Sequence, residues 1–355
     1  MPSMLTSDFD YELPPELIAQ TPPPRREDAR MLVLDRRTGA VQHKGVRDLP
    51  EFLRPGDALV LNDTRVIPAR LFGNKEGSGG RVEVLLLEEE APGFWLAIFK
   101  TAGHPKPGAR FRLGRDRILG ELIQREPGGR AHLKLSCEGS LLEALEAEGL
   151  PPLPPYIRRP RGTPAPGDAV QAEDKERYQT VYARASGSVA APTAGLHLTE
   201  SLLDALRAKG VTIAKVTLHV GMGTFKPIDS ETLDGHVMHD ERYEVSDAVA
   251  EQLNRARQAG GRLIAVGTTS ARVLETVTDE QGVVQSGSGR TRIFIRPPYR
   301  FKGVDGMLTN FHLPKSTLLV MISTLAGHEN VLNAYAEAVR ERYRFFSYGD
   351  CMFIA

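Results

Sequence analysis

Three short apolar runs, each handing the chain directly to glycine, hydroxyl or histidine side chains, constrain this fold more than any other feature. Residues 211–220 (VTIAKVTLHV) end at His219 and lead into Gly221-Met222-Gly223. Residues 262–266 (RLIAV) lead into Gly267-Thr268-Thr269-Ser270, and residues 307–310 (MLTN) lead into Phe311, His312 and Pro314. Runs of this length, rich in β-branched side chains and bounded by such signals, read as strands. Helical patterns accompany them: residues 248–258, a helix starting near Ala271, and one starting at Lys315 or Ser316 with Leu318, Leu319 and Ile322 on its apolar face. Strands alternating with helices predict an α/β fold. In open α/β sheets the loops leaving the carboxyl ends of strands form the ligand crevice, so the site is expected at these three turns.

The stretch 187–225 concentrates the candidates. Small residues from Gly187 to Gly195 let backbone approach a ligand, His197 follows, and Thr199 caps a helix with Leu202, Leu203 and Leu206 on one face. Gly210 stops that helix. Histidines 197, 219, 239 and 312 all fall at loops or strand ends, where a pKa near neutrality suits proton transfer. One such histidine is usually structural; four at comparable positions favour an enzyme. Thr268, Thr269 and Ser270 offer hydroxyls and free N–H groups at a helix start, suited to a carboxylate or phosphate and equally to plain capping. His236, His239 and Glu241 form HxxHxE, which differs from the helical HExxH zinc motif, and no metal is expected. The fingerprints GxGxxG, GxxxxGK(S/T) and GxSxG are missing from the places that would give them meaning.

Texture changes between residues 71 and 150, where short apolar runs (82–87, 94–99, 118–123, 131–135) alternate with Gly and Pro turns. Even spacing of short strands predicts a small barrel or sandwich without catalytic chemistry of its own. A helix at 141–148 and a proline linker at 151–155 close this module. Beyond it, YIRRPR places Arg158 and Arg159 beside Tyr156, and a helix is expected to run through Tyr178 and Tyr182. Arg300 and Lys302 surround Tyr299 and Phe301, and such basic and aromatic interleaving suits an RNA strand. The last 65 residues hold 8 basic and 5 acidic side chains, whereas the whole chain balances at 45 of each. No global field therefore draws it to nucleic acid or membrane. Asp63 and Arg65 are expected to pair across a turn. Cys137 and Cys351 read as reduced thiols, the first residues do not read as a signal peptide, and the longest apolar runs are too short for a membrane span. From the residues alone, two readings stay open beside an RNA-modifying enzyme. One is an α/β enzyme acting on a free nucleotide or phosphosugar without RNA, and the other is a noncatalytic RNA-binding module.

The motifs together resemble one family. FDYELPPELIAQTP, LNDTRVIPARLFG, PPYI, RYQTVYA, GSVAAPTAGLH, VTLHVGMGTFKP, MHDERYEV, VGTTSARVLE, LTNFHLPKSTLL and YRFFSYGDCMFIA span almost the whole chain. They are similar to those of the S-adenosylmethionine:tRNA ribosyltransferase-isomerase family of queuosine biosynthesis. Leu198, Met222 and Arg296-Pro297-Pro298 depart from the usual Phe, Ala and Tyr-Pro-Gly. The resemblance implies a discontinuous α/β main domain (1–70 and 151–355) with an inserted small β-barrel (71–150). It implies transfer of the ribosyl part of S-adenosylmethionine to 7-aminomethyl-7-deazaguanine at the tRNA wobble position, giving epoxyqueuosine and releasing adenine and methionine. S-adenosylmethionine would be a consumed cosubstrate with no permanently bound cofactor, and the protein a cytoplasmic monomer. His197 and His219 are expected to line the reacting ribose, with His312 or His239 next. Thr268, Thr269 and Ser270 are expected to take the methionine carboxylate, and Gly195, Gly221, Gly223, Thr224, Phe225 and Asn310 to contact the nucleoside. Arg65, Tyr343, Tyr348 and Asp350 fall at the expected pocket edge, and Arg158, Arg159, Arg300 and Lys302 on the tRNA side.

Overall fold

A computed structural model describes residues 4–159, 168–221 and 226–355. In chain order, the hairpin β1 (Arg30–Leu34) and β2 (Val41–Gly45) precedes β3 (Ala58–Asn62) and the short β4 (Thr64–Val66). Six strands follow in one block: β5 (Arg70–Lys75), β6 (Arg81–Ala91), β7 (Phe94–Thr101), β8 (Arg110–Leu113), β9 (Ile118–Arg125) and β10 (Arg130–Ser136). Helices α1 (Leu141–Glu148) and α2 (Ala169–Arg177) lead to β11 (Ala185–Ser188), α3 (Glu200–Ala208), β12 (Thr212–Leu218), β13 (Glu241–Val245) and α4 (Asp247–Gln258). The remainder is β14 (Leu263–Val266), α5 (Gly267–Val277), β15 (Gly287–Thr291), β16 (Gly306–Asn310), α6 (Thr317–Ala326), α7 (His328–Arg340) and β17 (Cys351–Ile354).

The main sheet has the order β15-β13-β12-β3-β14-β16-β17-β1-β2. Its centre, β12-β3-β14-β16, is parallel throughout. Successive side chains on a strand point to opposite faces, and both faces here are apolar. Ala58, Val60, Ala214, Val216, Ala265 and Met307 pack on one side with α4 to α7, while Leu59, Leu61, Ile264, Val266 and Leu308 pack on the other with Leu202, Leu203 and Leu206 of α3. A strand covered on both faces needs continuous apolar residues, which is why RLIAV and MLTN show no alternation.

Strands β5 to β10 close a barrel in the order β10-β7-β6-β5-β8-β9. Its interior is filled from many strands, and Gly120 is bare because the Phe111 ring lies where a Cβ would stand, 2.0 Å away. Arg70 and Leu150 exchange backbone hydrogen bonds of 3.1 and 2.9 Å, so the two ends of the block are joined to each other at one backbone pair.

Several local expectations shift. Helix α5 begins at Gly267, which takes φ +84° and turns the chain straight out of β14, so Thr268 to Ser270 form its first turn and not a loop before it. Helix α2 stops at Arg177, leaving Tyr178 as its C-cap and Tyr182 beyond it. Strand β15 pairs antiparallel with β13 at the sheet edge. The C-terminal segment is an inner strand: β17 lies between β16 and β1 with all four residues buried.

Candidate active site

The carboxyl ends of β3, β12, β14 and β16 come side by side, which brings Asn62, His219, Thr268, Thr269, Asn310 and His312 to one edge of the sheet. Asn62 stitches that edge together: Oδ1 accepts from the backbone N–H of Leu218 (3.0 Å) and Thr64 (3.2 Å), and Nδ2 donates to Leu218 O (2.9 Å). Asp63 accepts from the Thr217 hydroxyl at 2.7 Å and pairs with Arg184 at 3.1 Å, so its partner is Arg184 and not Arg65. With its own groups saturated, this turn serves as scaffold.

A cavity of about 440 Å³ lies between this edge and the barrel. His219, Gly187, Gly221 and Glu241 form one wall, and Glu88, Glu89, Trp95 and Leu145 from the barrel block and α1 form the other. A nucleoside-sized ligand fits such a volume. His219 is half-buried, and its Nδ1 meets the Thr64 hydroxyl at 2.9 Å. The ring lies over Gly187 (φ +140°), where a Cβ would come within 3.1 Å of it. Burial, then the Arg242 charge, lowers the His219 pKa and keeps the imidazole neutral near pH 7. The barrel's part in this cavity is unexpected from sequence, because Glu88, Glu89 and Trp95 belong to no chemical motif and reach the site only through barrel closure.

Two narrower hollows adjoin it. One, about 50 Å³, is lined by His312, Asn310, Thr268 and Thr269; the other, about 30 Å³, by His239, His236, Thr268, Thr269, Arg272 and Glu241. Glu241 lines both the large cavity and the second hollow, and the two threonines line both narrow ones. The four histidines therefore do not ring one hollow. His312 is buried, with Nε2 2.7 Å from the Thr309 hydroxyl, and burial lowers its pKa to about 3. His197 lies behind Asn310: the Asn310 amide Nδ2 donates to His197 Nε2 (3.1 Å) and to Phe346 O (3.1 Å), while Oδ1 accepts from the Thr193 hydroxyl (2.9 Å). A carbonyl can only accept, which fixes the amide orientation and leaves His197 Nε2 as an acceptor. Burial, reinforced by Arg26, lowers the His197 pKa to about 4, so this imidazole is a neutral strut and a poor proton shuttle. Among the described residues no group of three or more His, Cys, Asp or Glu side chains is placed to hold a metal.

The family model for queuosine biosynthesis proteins matches residues 6–354. The chain belongs to this queuosine biosynthesis family. It is 51% identical over 351 residues to the S-adenosylmethionine:tRNA ribosyltransferase-isomerase of Acetivibrio thermocellus, covering 99% of this chain and 100% of the relative. It is 52% identical over the same length to the protein of that name from Symbiobacterium thermophilum, with the same coverage. Among solved structures it is similar to the S-adenosylmethionine tRNA ribosyltransferase of Thermotoga maritima, at 35% identity and a TM-score of 0.55, covering 98% of this chain and 100% of that one.

Within this queuosine biosynthesis protein, several expected site residues lie away from the cavities. Tyr343 and Tyr348 are buried, bonding His43 (2.8 Å) and Asp174 (3.0 Å), and Asp350 accepts the backbone N–H groups of Arg30 (2.8 Å) and Arg344 (2.7 Å). All three stabilise the turn that admits β17 to the sheet. Arg65 faces a different cavity and lies 3.7 Å from Glu146. Ser270 donates to Val266 O at 2.9 Å, turned into its own helix. Arg159 grips Asp174 through two nitrogens (2.6 and 2.7 Å) and Lys302 pairs with Glu280 (3.1 Å), whereas Arg158 and Arg300 are exposed. Gly221 does line the large cavity; Gly223, Thr224 and Phe225 lie outside the described residues. Gly195 makes room for protein and not for ligand, since a Cβ there would stand 2.0 Å from the Tyr182 hydroxyl. Gly195→Ala is expected to destabilise the fold by about 1–3 kcal/mol, read by urea denaturation. Adding Tyr182→Phe should recover part of the loss.

Proposed function

We propose that this chain transfers and isomerises the ribosyl moiety of S-adenosylmethionine onto 7-aminomethyl-7-deazaguanine at the wobble position of tRNA. Epoxyqueuosine-tRNA is the product, and adenine and methionine leave. End-to-end identity near one half to two enzymes of that name carries the reading. The site supports it with a nucleoside-sized cavity in which Arg290 and Arg272 hold Glu88 and Glu241, while Glu89, without an ion pair among the described residues, is left to meet a cationic sulfonium. In this reading the sulfonium acidifies the adjacent ribose carbon, and His219 takes that proton at Nε2. Thr64 fixes the ring: its Oγ1 donates to Ala185 O (3.4 Å) and so can accept from His219 Nδ1–H. Gly221 lets the nucleoside lie against backbone. S-adenosylmethionine is consumed and no resident cofactor is invoked. Arg158 and Arg300 face the tRNA backbone, while Arg159 and Lys302 hold the surface that presents them. Barrel and sheet of a single chain complete the cavity, consistent with a monomer, and the work is placed in the cytoplasm with its tRNA. No helix among the described residues is long and apolar enough to cross a membrane.

Incubated with S-adenosylmethionine and tRNA bearing the aminomethyl-deazaguanine, the folded protein is expected to release adenine, and added salt should weaken tRNA engagement steeply. Absence of adenine would remove the assignment. Turnover without tRNA, indifferent to salt, would favour the small-molecule enzyme instead.

A further inference from the structure

Thr268, Thr269 and Arg272 lie three and four residues apart on α5 and so share one helix face. That face lines the narrow hollow of about 30 Å³, which shares Glu241 with the large cavity. Arg272 is only 4% exposed, and its Nη1 donates to Glu241 Oε2. Its Nε and Nη2 are buried and make no hydrogen bond among the described residues, and the same holds for the Thr269 hydroxyl, itself 6% exposed. Buried donors are seldom left unmade, because each forfeits its hydration without return. Nε and Nη2 form one edge of the guanidinium, a fork that matches the two oxygens of a carboxylate. The same protein uses that edge elsewhere: Arg159 holds Asp174, and Arg262 holds Asp57, each through Nε and Nη2. Opposite Arg272 no third carboxylate is supplied by the described residues that line the hollow, whose acidic member, Glu241, is already engaged by Nη1 and by the Gly221 N–H (2.9 Å).

We infer that the free edge of Arg272, assisted by the Thr269 hydroxyl, is the anchor for the carboxylate of the methionyl end of S-adenosylmethionine. This rests on the proposed function and extends it to a residue that sets which sulfonium cosubstrate is accepted. The nucleoside occupies the large cavity, the methionyl chain passes Glu241, and its carboxylate closes on the helix face. The hollow admits a carboxyl group but not a bulkier end. Burial lowers the Arg272 pKa to about 10, as expected of a guanidinium whose single anionic partner leaves it undercompensated.

The test compares S-adenosylmethionine with its decarboxylated analogue, by calorimetric binding and by KM for adenine release, on the parent and three variants. The parent should prefer the carboxylated ligand by about 10- to 100-fold, the scale of hydrogen bonds to a charged group. Arg272→Met should lose that factor on S-adenosylmethionine alone, so the preference collapses. Thr269→Val, which leaves the Glu241 pair untouched, should cut it several-fold, and Arg272→Lys should restore only part. Thr269→Val and Arg272→Lys carry the test if Arg272→Met does not fold. An undiminished preference in those two variants, or equal losses on both ligands, overturns the anchor. A parent that neither binds S-adenosylmethionine nor releases adenine overturns instead the function on which it rests.

Discussion

His219→Ala is expected to lower the rate of adenine release by about 10²- to 10⁴-fold, the usual worth of a positioned acid or base, and to leave the melting temperature close to that of the parent. The expectation follows from three observations together. His219 lines the large cavity, its Nδ1 is held by Thr64, and Gly187 clears the space its ring needs. A half-buried side chain at a cavity wall contributes little packing, so the loss falls on turnover. Because burial and Arg242 lower its pKa, the neutral imidazole persists to below pH 6.5, its ordinary value. The acid limb of the pH–rate profile should therefore lie below that value and disappear in the variant. Thr64→Val should reduce kcat with smaller change in KM, since it loosens the ring without removing the base. Full activity in His219→Ala would move the proton transfer to another group.

Acid should unfold the protein well above the range in which ordinary carboxylates titrate. His197 and His312 are buried and neutral, with pKa values lowered to about 4 and about 3. In the unfolded chain both titrate near 6.5. Below that pH the unfolded state takes up protons that the folded state refuses, so stability is fully present above 6.5 and falls until each folded pKa is reached. The cost is on the order of 3 kcal/mol for His197 and more for His312, a large share of typical domain stability. His219, His236 and His239 are lowered as well and act in the same direction. Asp350, raised by burial, has the opposite sign, because its folded form binds a proton sooner. Urea midpoints measured at pH 7.5, 6 and 5 should drop steadily, and His197→Gln should flatten the slope. A flat profile would mean these imidazoles are hydrated.

Local signals carried the sheet centre and the inserted barrel far into view. RLIAV, MLTN and ALVLN are strands in the structure because an inner parallel strand must be apolar on both sides, and that property is written residue by residue. Pairing was not legible. YGDCMFIA looks polar and terminal, yet its place between β16 and β1 depends on partners some 40 and 320 residues distant. The site divides in the same way. His219, Gly221, Thr268, Thr269, Asn310 and His312 were readable because a strand end announces them. Trp95, Glu88 and Arg272 were not, since the first two arrive on a barrel wall and the third is one ordinary cation within a helix. Nor could spacing tell that His197 would stand behind Asn310.

The reciprocal backbone bonds between Arg70 and Leu150 have a consequence for how this enzyme family could diversify. Eighty residues enter and exit through a single clasp, while Arg290 of β15 ties them back by gripping both Glu88 and Asp240. One half of the cavity is thus carried by a cassette that can drift, lengthen or be exchanged while the strands bearing His219 and Asn310 keep their register.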